Sequence, residues 1–273
     1  MPQIGIDQFE IFATGIDHPE CVAFDREGLL WAGGEAGQVY RIDPGGRVEQ
    51  VAALGSFNGG LAFSPADELY VCNPAMGIVR VGRDGRHEVF ATHAAGQKLI
   101  CPNFIVFDAA GNFFVTDSGD WMKGNGRLCR FTPDGAGQTV AGPFGYANGL
   151  ALSADEQTLF MVESDGERIV RFDLPGGTHS RFAEGVERLP DGLALDAAQN
   201  LYVTCYASDD IHRITPAGQR EQVAHDRWAI KISRPTNLAF HDGWMYVANL
   251  GRQTIARARI DFAGQPLANL RRS

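Results

Sequence analysis

Two carboxylates and two amides stand in matching places along this 273-residue chain, each just ahead of a short apolar run. They are Glu20 in HPECVAF, Asn103 in CPNFIVF, Asn148 in YANGLAL and Asp191 in LPDGLAL. Polar residues in such places are commonly turn formers whose side chains bond the local backbone. Glu is not a favoured turn residue, which sets a second account beside the first. If these oxygens met, they would repel one another and lose hydration. A divalent cation resolves that conflict. An all-oxygen donor set suits calcium, magnesium or manganese, and zinc also accepts carboxylates.

Whether the four meet depends on the elements that carry them. Six segments read alike: HPECVAFDREGLLWAGG, FNGGLAFSPADELYVCN, CPNFIVFDAAGNFFVTD, YANGLALSADEQTLFMVES, LPDGLALDAAQNLYVTC and RPTNLAFHDGWMYVAN. Each is a short apolar strand, a turn and a second apolar strand, with no sustained helical period. Aligned on the last apolar residue of the first strand, they fall at Phe24, Phe63, Phe107, Leu152, Leu195 and Phe240, in steps of 39, 44, 45, 43 and 45 residues. That period suits a four-stranded blade, and a ring of blades protects sheet edges that single blades would expose. The expectation is an all-β, six-bladed β-propeller of four-stranded antiparallel blades, a single domain over residues 1–273. Phe9 to Phe12 (FEIF) predicts a strand that pairs with the last blade, around residues 237–262, and closes the ring. The first strand of each blade then lies nearest the axis. The residue four places before each alignment point lies at the channel mouth, giving Glu20, Gly59, Asn103, Asn148, Asp191 and Thr236.

Composition narrows the function. A formal charge of −9 argues against nucleic acid or an anionic membrane surface as partner. The five cysteines are odd in number and form no CxxC pair, so thiols in a reducing compartment are expected rather than a disulfide framework. The N-terminal MPQIGIDQFEIFATG lacks a basic region followed by an apolar run, and no stretch approaches membrane-spanning length, so a cytoplasmic location is expected. Phosphate-loop, GxSxG and HExxH motifs are absent from the sequence.

At the mouth residues the chain resembles the SMP-30/gluconolactonase family over essentially its whole length. The specific stretches are ANGLALSADEQTLFMVES, LPDGLALDAAQNLYVTCY and the HPE at His18 to Glu20. The resemblance implies a metal at the top of the channel, calcium foremost, and hydrolysis of a small-molecule lactone. It implies Glu20, Asn148 and Asp191 as metal ligands, with Asn103 beside them on a metal-bound water or the substrate. Asp191 is the choice for the base that activates water, with Glu20 second. Sugar lactonases of the family often carry Arg-x-Asn-Asp in the third blade, where this chain has Cys101-Pro102-Asn103-Phe104. The substrate pocket, assigned to Cys101, Asn103, Phe104 and Trp121, is therefore expected to be less polar. Trp121, Met122 and Lys123, in the long loop SGDWMKGNG, are either a lid or a hairpin tip. Cys101 has no identifiable His partner and reads as a pocket-lining thiol. His18 reads as an exposed turn histidine without an orienting partner, the alternative being a proton shuttle. Two other functions compete: a related esterase or phosphotriesterase, and a non-catalytic binding platform around a structural cation.

Overall fold

The computed structural model describes residues 3–186 and 188–271. Six four-stranded antiparallel sheets follow one another around a ring. Their innermost strands are Val22–Phe24, Leu61–Phe63, Pro102–Phe107, Ala147–Leu152, Pro190–Leu195 and Pro235–His241, which define blades 1 to 6. In blades 1 to 5 the strands run outward in chain order. Among the described residues, helix is confined to two short turns, Ile6–Gln8 and Ala268–Leu270; none is long and apolar enough to cross a membrane.

A repeated turn joins the first two strands of blades 1 to 5. One residue past the end of the first strand, Asp25, Asp108 and Asp196 each accept a backbone N–H four residues on, from Leu29, Asn112 and Asn200 at 2.9, 2.8 and 2.8 Å. Ser64 and Ser153 accept backbone N–H groups with their hydroxyls from Glu68 and Thr158, four and five residues on. Side chains that satisfy their own loop backbone make such turns self-sufficient.

The blades lock through alternate side chains on their faces. Trp31 of blade 1 meets Phe63 of blade 2 edge-on at 5.8 Å, Tyr70 meets Phe107 at 5.1 Å, and Tyr202 meets Phe240 at 5.0 Å. Leu193 and Val203 of blade 5 pack with Ala151 and Val162 of blade 4. Phe24 and Tyr246 join blade 1 to blade 6 at 5.0 Å.

The last blade is completed by the chain's beginning. Phe9–Thr14 pairs antiparallel with Thr254–Arg259, Phe9 opposite Ala258 and Thr14 opposite Thr254. Phe9 is buried with Tyr202, Val247, Ala256 and Ala258. The N-terminal strand thus closes the ring, as its apolar character predicts.

At the bottom of the axis a cavity of ≈ 590 Å³ is lined by the apolar parts of all six inner strands and by Gly264 to Arg271. That C-terminal segment is tied to several blades. The Asn269 amide donates to the Phe24 carbonyl at 3.0 Å, and the Gln265 amide to the Leu152 carbonyl at 2.7 Å. The polar positions lie at the opposite, upper end of the same strands.

Candidate functional site

A β-bulge opens the inner strand of four blades. Pro102 pairs with Asp117 and Phe104 with Thr116, which leaves Asn103 as the extra residue. The same irregularity falls across Asn148–Gly149, Asp191–Gly192 and Thr236. A bulge takes a residue out of the ladder and re-aims its side chain. The N–H groups freed there find threonine hydroxyls: Phe104 donates to Thr116 at 3.0 Å and Gly192 to Thr204 at 2.8 Å. In blade 1 the paired strand begins at Val22, so Glu20 precedes it, its N–H donating to the Gly33 carbonyl at 3.3 Å.

Contacts between neighbouring blades bring these positions to one level around the axis. The Gly60 N–H donates to the Asn103 carbonyl. A side chain at Gly149 would overlap the Asp191 carbonyl, and one at Gly192 the Thr236 carbonyl. The Thr236 hydroxyl donates to the Glu20 carbonyl at 2.7 Å. Between blades 3 and 4 and between blades 4 and 5, serines make the link. Ser118 Oγ donates to the Ala147 carbonyl at 2.6 Å, and Ser164 Oγ to the Pro190 carbonyl at 2.7 Å.

The same serines orient the amides. Asn103 Nδ2 donates to Ser118 Oγ at 3.0 Å, and Asn148 Nδ2 to Ser164 Oγ at 3.2 Å. Each amide therefore turns its oxygen away from the serine. Asn103 Oδ1, Asn148 Oδ1 and Glu20 Oε2 are all buried without a hydrogen-bond partner. An unsatisfied buried polar atom costs about 1–3 kcal/mol, so three from three blades require a reason. Electrostatics point the same way. Burial pushes the Glu20 carboxyl up to about 8, with Glu35 adding and Thr236 opposing. Asp191 is raised well above the usual carboxylate range by burial and then by Glu20, against the Asn148 amide. Bare acceptors beside two disfavoured carboxylates fit a hard divalent cation, and the donor set is all oxygen.

The residues above this ring are less polar. Cys101 is partly buried, and its thiol is pushed up to about 11 by burial, with Asp117 adding and Tyr146 opposing. It is protonated at neutral pH, which argues against a nucleophile. Tyr146 is raised by burial, with Cys101, Asp191 and Glu20 contributing, which sets its phenol among the same groups. Trp121 stands edge-on to Tyr146, ring centroids 4.7 Å apart, and is half exposed. Met122 beside it is largely exposed. Phe104 is buried in the core cluster that holds Leu128, Phe144 and Leu150, and it borders the channel below the polar ring.

His18 differs from its sequence reading. It has two orienting partners, with Nδ1 2.9 Å from Asp17 Oδ1 and 3.3 Å from Glu35 Oε2. Glu35 comes from the far end of the second strand, which spacing along the chain does not reveal. Ser118, Ser164 and Tyr146 also escape the sequence reading. Serines closing the VTDS and VES segments, 15 and 16 residues after their asparagines, are the signal that would find two of them.

In chelator-treated protein the raised carboxyls give a signed pH dependence. The folded state holds protons between about pH 4.5 and 8 that the unfolded chain has released, so stability falls as pH rises through that window. The urea midpoint is expected to drop from about pH 5 to 8, and Glu20→Gln is expected to flatten the drop. A midpoint that holds or rises over that range contradicts the burial of Glu20 without a compensating proton or cation.

Comparison with known proteins follows from this geometry. Residues 18–250 match the model of the SMP-30/gluconolactonase/LRE-like region. Lactonase drp35 of Staphylococcus saprophyticus is 28% identical over 82% of this chain and 75% of its own length. Pentonolactonase XacC of Haloferax volcanii is 27% identical over 65% of this chain and 62% of its own. A gluconolactonase structure from Xanthomonas campestris superposes with a TM-score of 0.81 at 21% identity, covering 92% of this chain and 89% of that one. A calcium-binding regucalcin from Agrobacterium tumefaciens gives a TM-score of 0.78 at 15% identity, with 97% of each chain covered. The family model spans most of the chain, and the protein belongs to the SMP-30/gluconolactonase/LRE-like family.

Proposed function

We propose that this protein is a divalent-metal-dependent hydrolase that opens a small lactone ring. The observation that carries the reading is the set of three buried, unpartnered oxygens of Glu20, Asn103 and Asn148 on the level of Asp191. The relatives named lactonase and pentonolactonase support the reaction type, and the calcium-binding neighbour supports the cation.

Glu20, Asn148 and Asp191 would hold the ion, calcium foremost among divalent metals. When bound, it supplies Lewis acidity toward the lactone carbonyl and lowers the pKa of water. Asp191 takes the proton from the attacking water. The water oxygen bonds the carbonyl carbon, the acyl C–O bond of the ring breaks, and the proton passes to the departing ring oxygen. Ser164 keeps the Asn148 oxygen on the axis, and Ser118 does so for Asn103, which orients substrate. Cys101, Tyr146 and Trp121 form a weakly polar wall above, and Phe104 stiffens the channel beneath.

Two outcomes test this reading. Asp191→Asn should keep the fold, because Asp191 lies at a bulge outside the ladder, and should lose about 10²–10⁴-fold in kcat in metal-replete assays. Full activity would remove Asp191 from the mechanism. With no cation at position 101 to hold ring hydroxyls, the wild type should favour an unsubstituted δ-lactone over gluconolactone in kcat/KM. Cys101→Arg should move that ratio toward gluconolactone by roughly tenfold. A strong wild-type preference for gluconolactone contradicts the weakly polar pocket.

A further inference from the structure

Two residues before the polar ring along each inner strand, the six blades present a second set in register: His18, Phe57, Cys101, Tyr146, Leu189 and Arg234. Hydrogen bonds establish the equivalence in four blades. The residue after each second strand donates its N–H to the carbonyl of this position, Ser118 to Cys101, Ser164 to Tyr146, Tyr206 to Leu189 and Leu250 to Arg234, at 2.8–3.1 Å. His18, Tyr146, Leu189 and Arg234 also share a positive φ, of 37, 57, 59 and 46°. Arg234 is the only permanent cation in this upper set. It belongs to blade 6, between the blades that supply Asp191 and Glu20, and Thr236 in the lower ring bonds Glu20 directly.

Arg234 is exposed at the mouth, and its guanidinium is held there by an aromatic partner. It lies over the Tyr206 ring, 5.5 Å from the centroid, and Nη1 donates to the Tyr206 hydroxyl at 3.2 Å. Tyr206 fills the register in which Ser118 and Ser164 reach the axis in blades 3 and 4, so an aromatic platform rises at the mouth between blades 5 and 6. Among the described residues no carboxylate lies within ion-pair distance of this guanidinium. Asp209 accepts the Arg234 backbone N–H instead, at 2.6 Å. A divalent ion in the lower ring would offset Glu20 and Asp191, leaving the Arg234 guanidinium at the mouth without an ion-pair partner. A planar guanidinium fixed on an aromatic face is built for bidentate recognition of a carboxylate.

We infer that Arg234, set on Tyr206, anchors a carboxylate carried by the substrate, so that the preferred lactones are anionic and sparsely hydroxylated. This rests on the lactonase reading above. The test compares kcat/KM for a γ-butyrolactone bearing a ring carboxylate with that for the corresponding carboxamide. Wild type should prefer the carboxylate by about tenfold or more. Arg234→Ala should abolish that preference, mostly through KM, and Arg234→Lys should retain part of it. Arg86→Ala, at a distant turn of blade 2, should leave the ratio unchanged. Equal losses on both substrates in Arg234→Ala, or no wild-type preference, would overturn the anchor. If wild type hydrolyses neither lactone, calorimetry with the ring-opened hydroxy-dicarboxylate separates the two claims. Binding that is lost in Arg234→Ala keeps the anion site while the lactonase reading falls, and absence of binding overturns the site.

Discussion

Six inner strands meet around one axis, those of blades 2 to 6 with their main chains touching, and the rest of the site follows from that crowding. Backbone contact leaves no room for side chains at Gly149 and Gly192, so neighbouring blades press peptide against peptide there. It also forces a choice on the residue just before each glycine. That residue cannot continue the ladder, and the bulge turns it toward the channel. An apolar residue could fill such a place without conflict. Here those places hold Asn148 and Asp191, with Asn103 at a bulge and Glu20 ahead of its strand on the same level, and their oxygens have few donors to meet.

The conflict is sharpened, not relieved, by the surrounding hydrogen bonds. Ser118 and Ser164 spend their hydroxyl protons on the next blade's backbone and accept the asparagine amides. Reversing either amide would bring its oxygen against an acceptor, so the bare oxygens are locked inward. The arrangement stabilises blade-to-blade docking and, with the same atoms, prepares an acceptor cage. Structural and chemical roles are inseparable at these serines, whereas the Asp25-type turns below serve structure alone, Asp25 holding its own loop and the Trp31 and Arg83 side chains.

Much of this was legible in the sequence, because period and pattern are local properties. Strand alternation, turn residues and steps of 39 to 45 residues specify blades, and FEIF marks the closing strand. The polar column was legible too, since register within a repeat carries over to register around the ring. What stayed hidden lies between strands. The serine partners sit on a different strand, Glu35 reaches His18 across a blade, and Tyr206 meets Arg234 across a blade boundary. Phe104 shows the cost of reading four consecutive residues as one surface. With Asn103 displaced by the bulge, Phe104 re-enters the ladder opposite Thr116 and its ring joins the core.

On the proposed reading, two levels of one column divide the work: acceptors below for a cation, and Arg234 with apolar neighbours above for the organic group. The lower level is the central claim, and a crystal soaked in calcium tests it most directly. One ion should appear at about 2.3–2.6 Å from oxygens of Glu20, Asn148 and Asp191, with the Asn103 oxygen beside it. An ion found only at the Asp17, His18 and Glu35 cluster, or none on the axis, would contradict it.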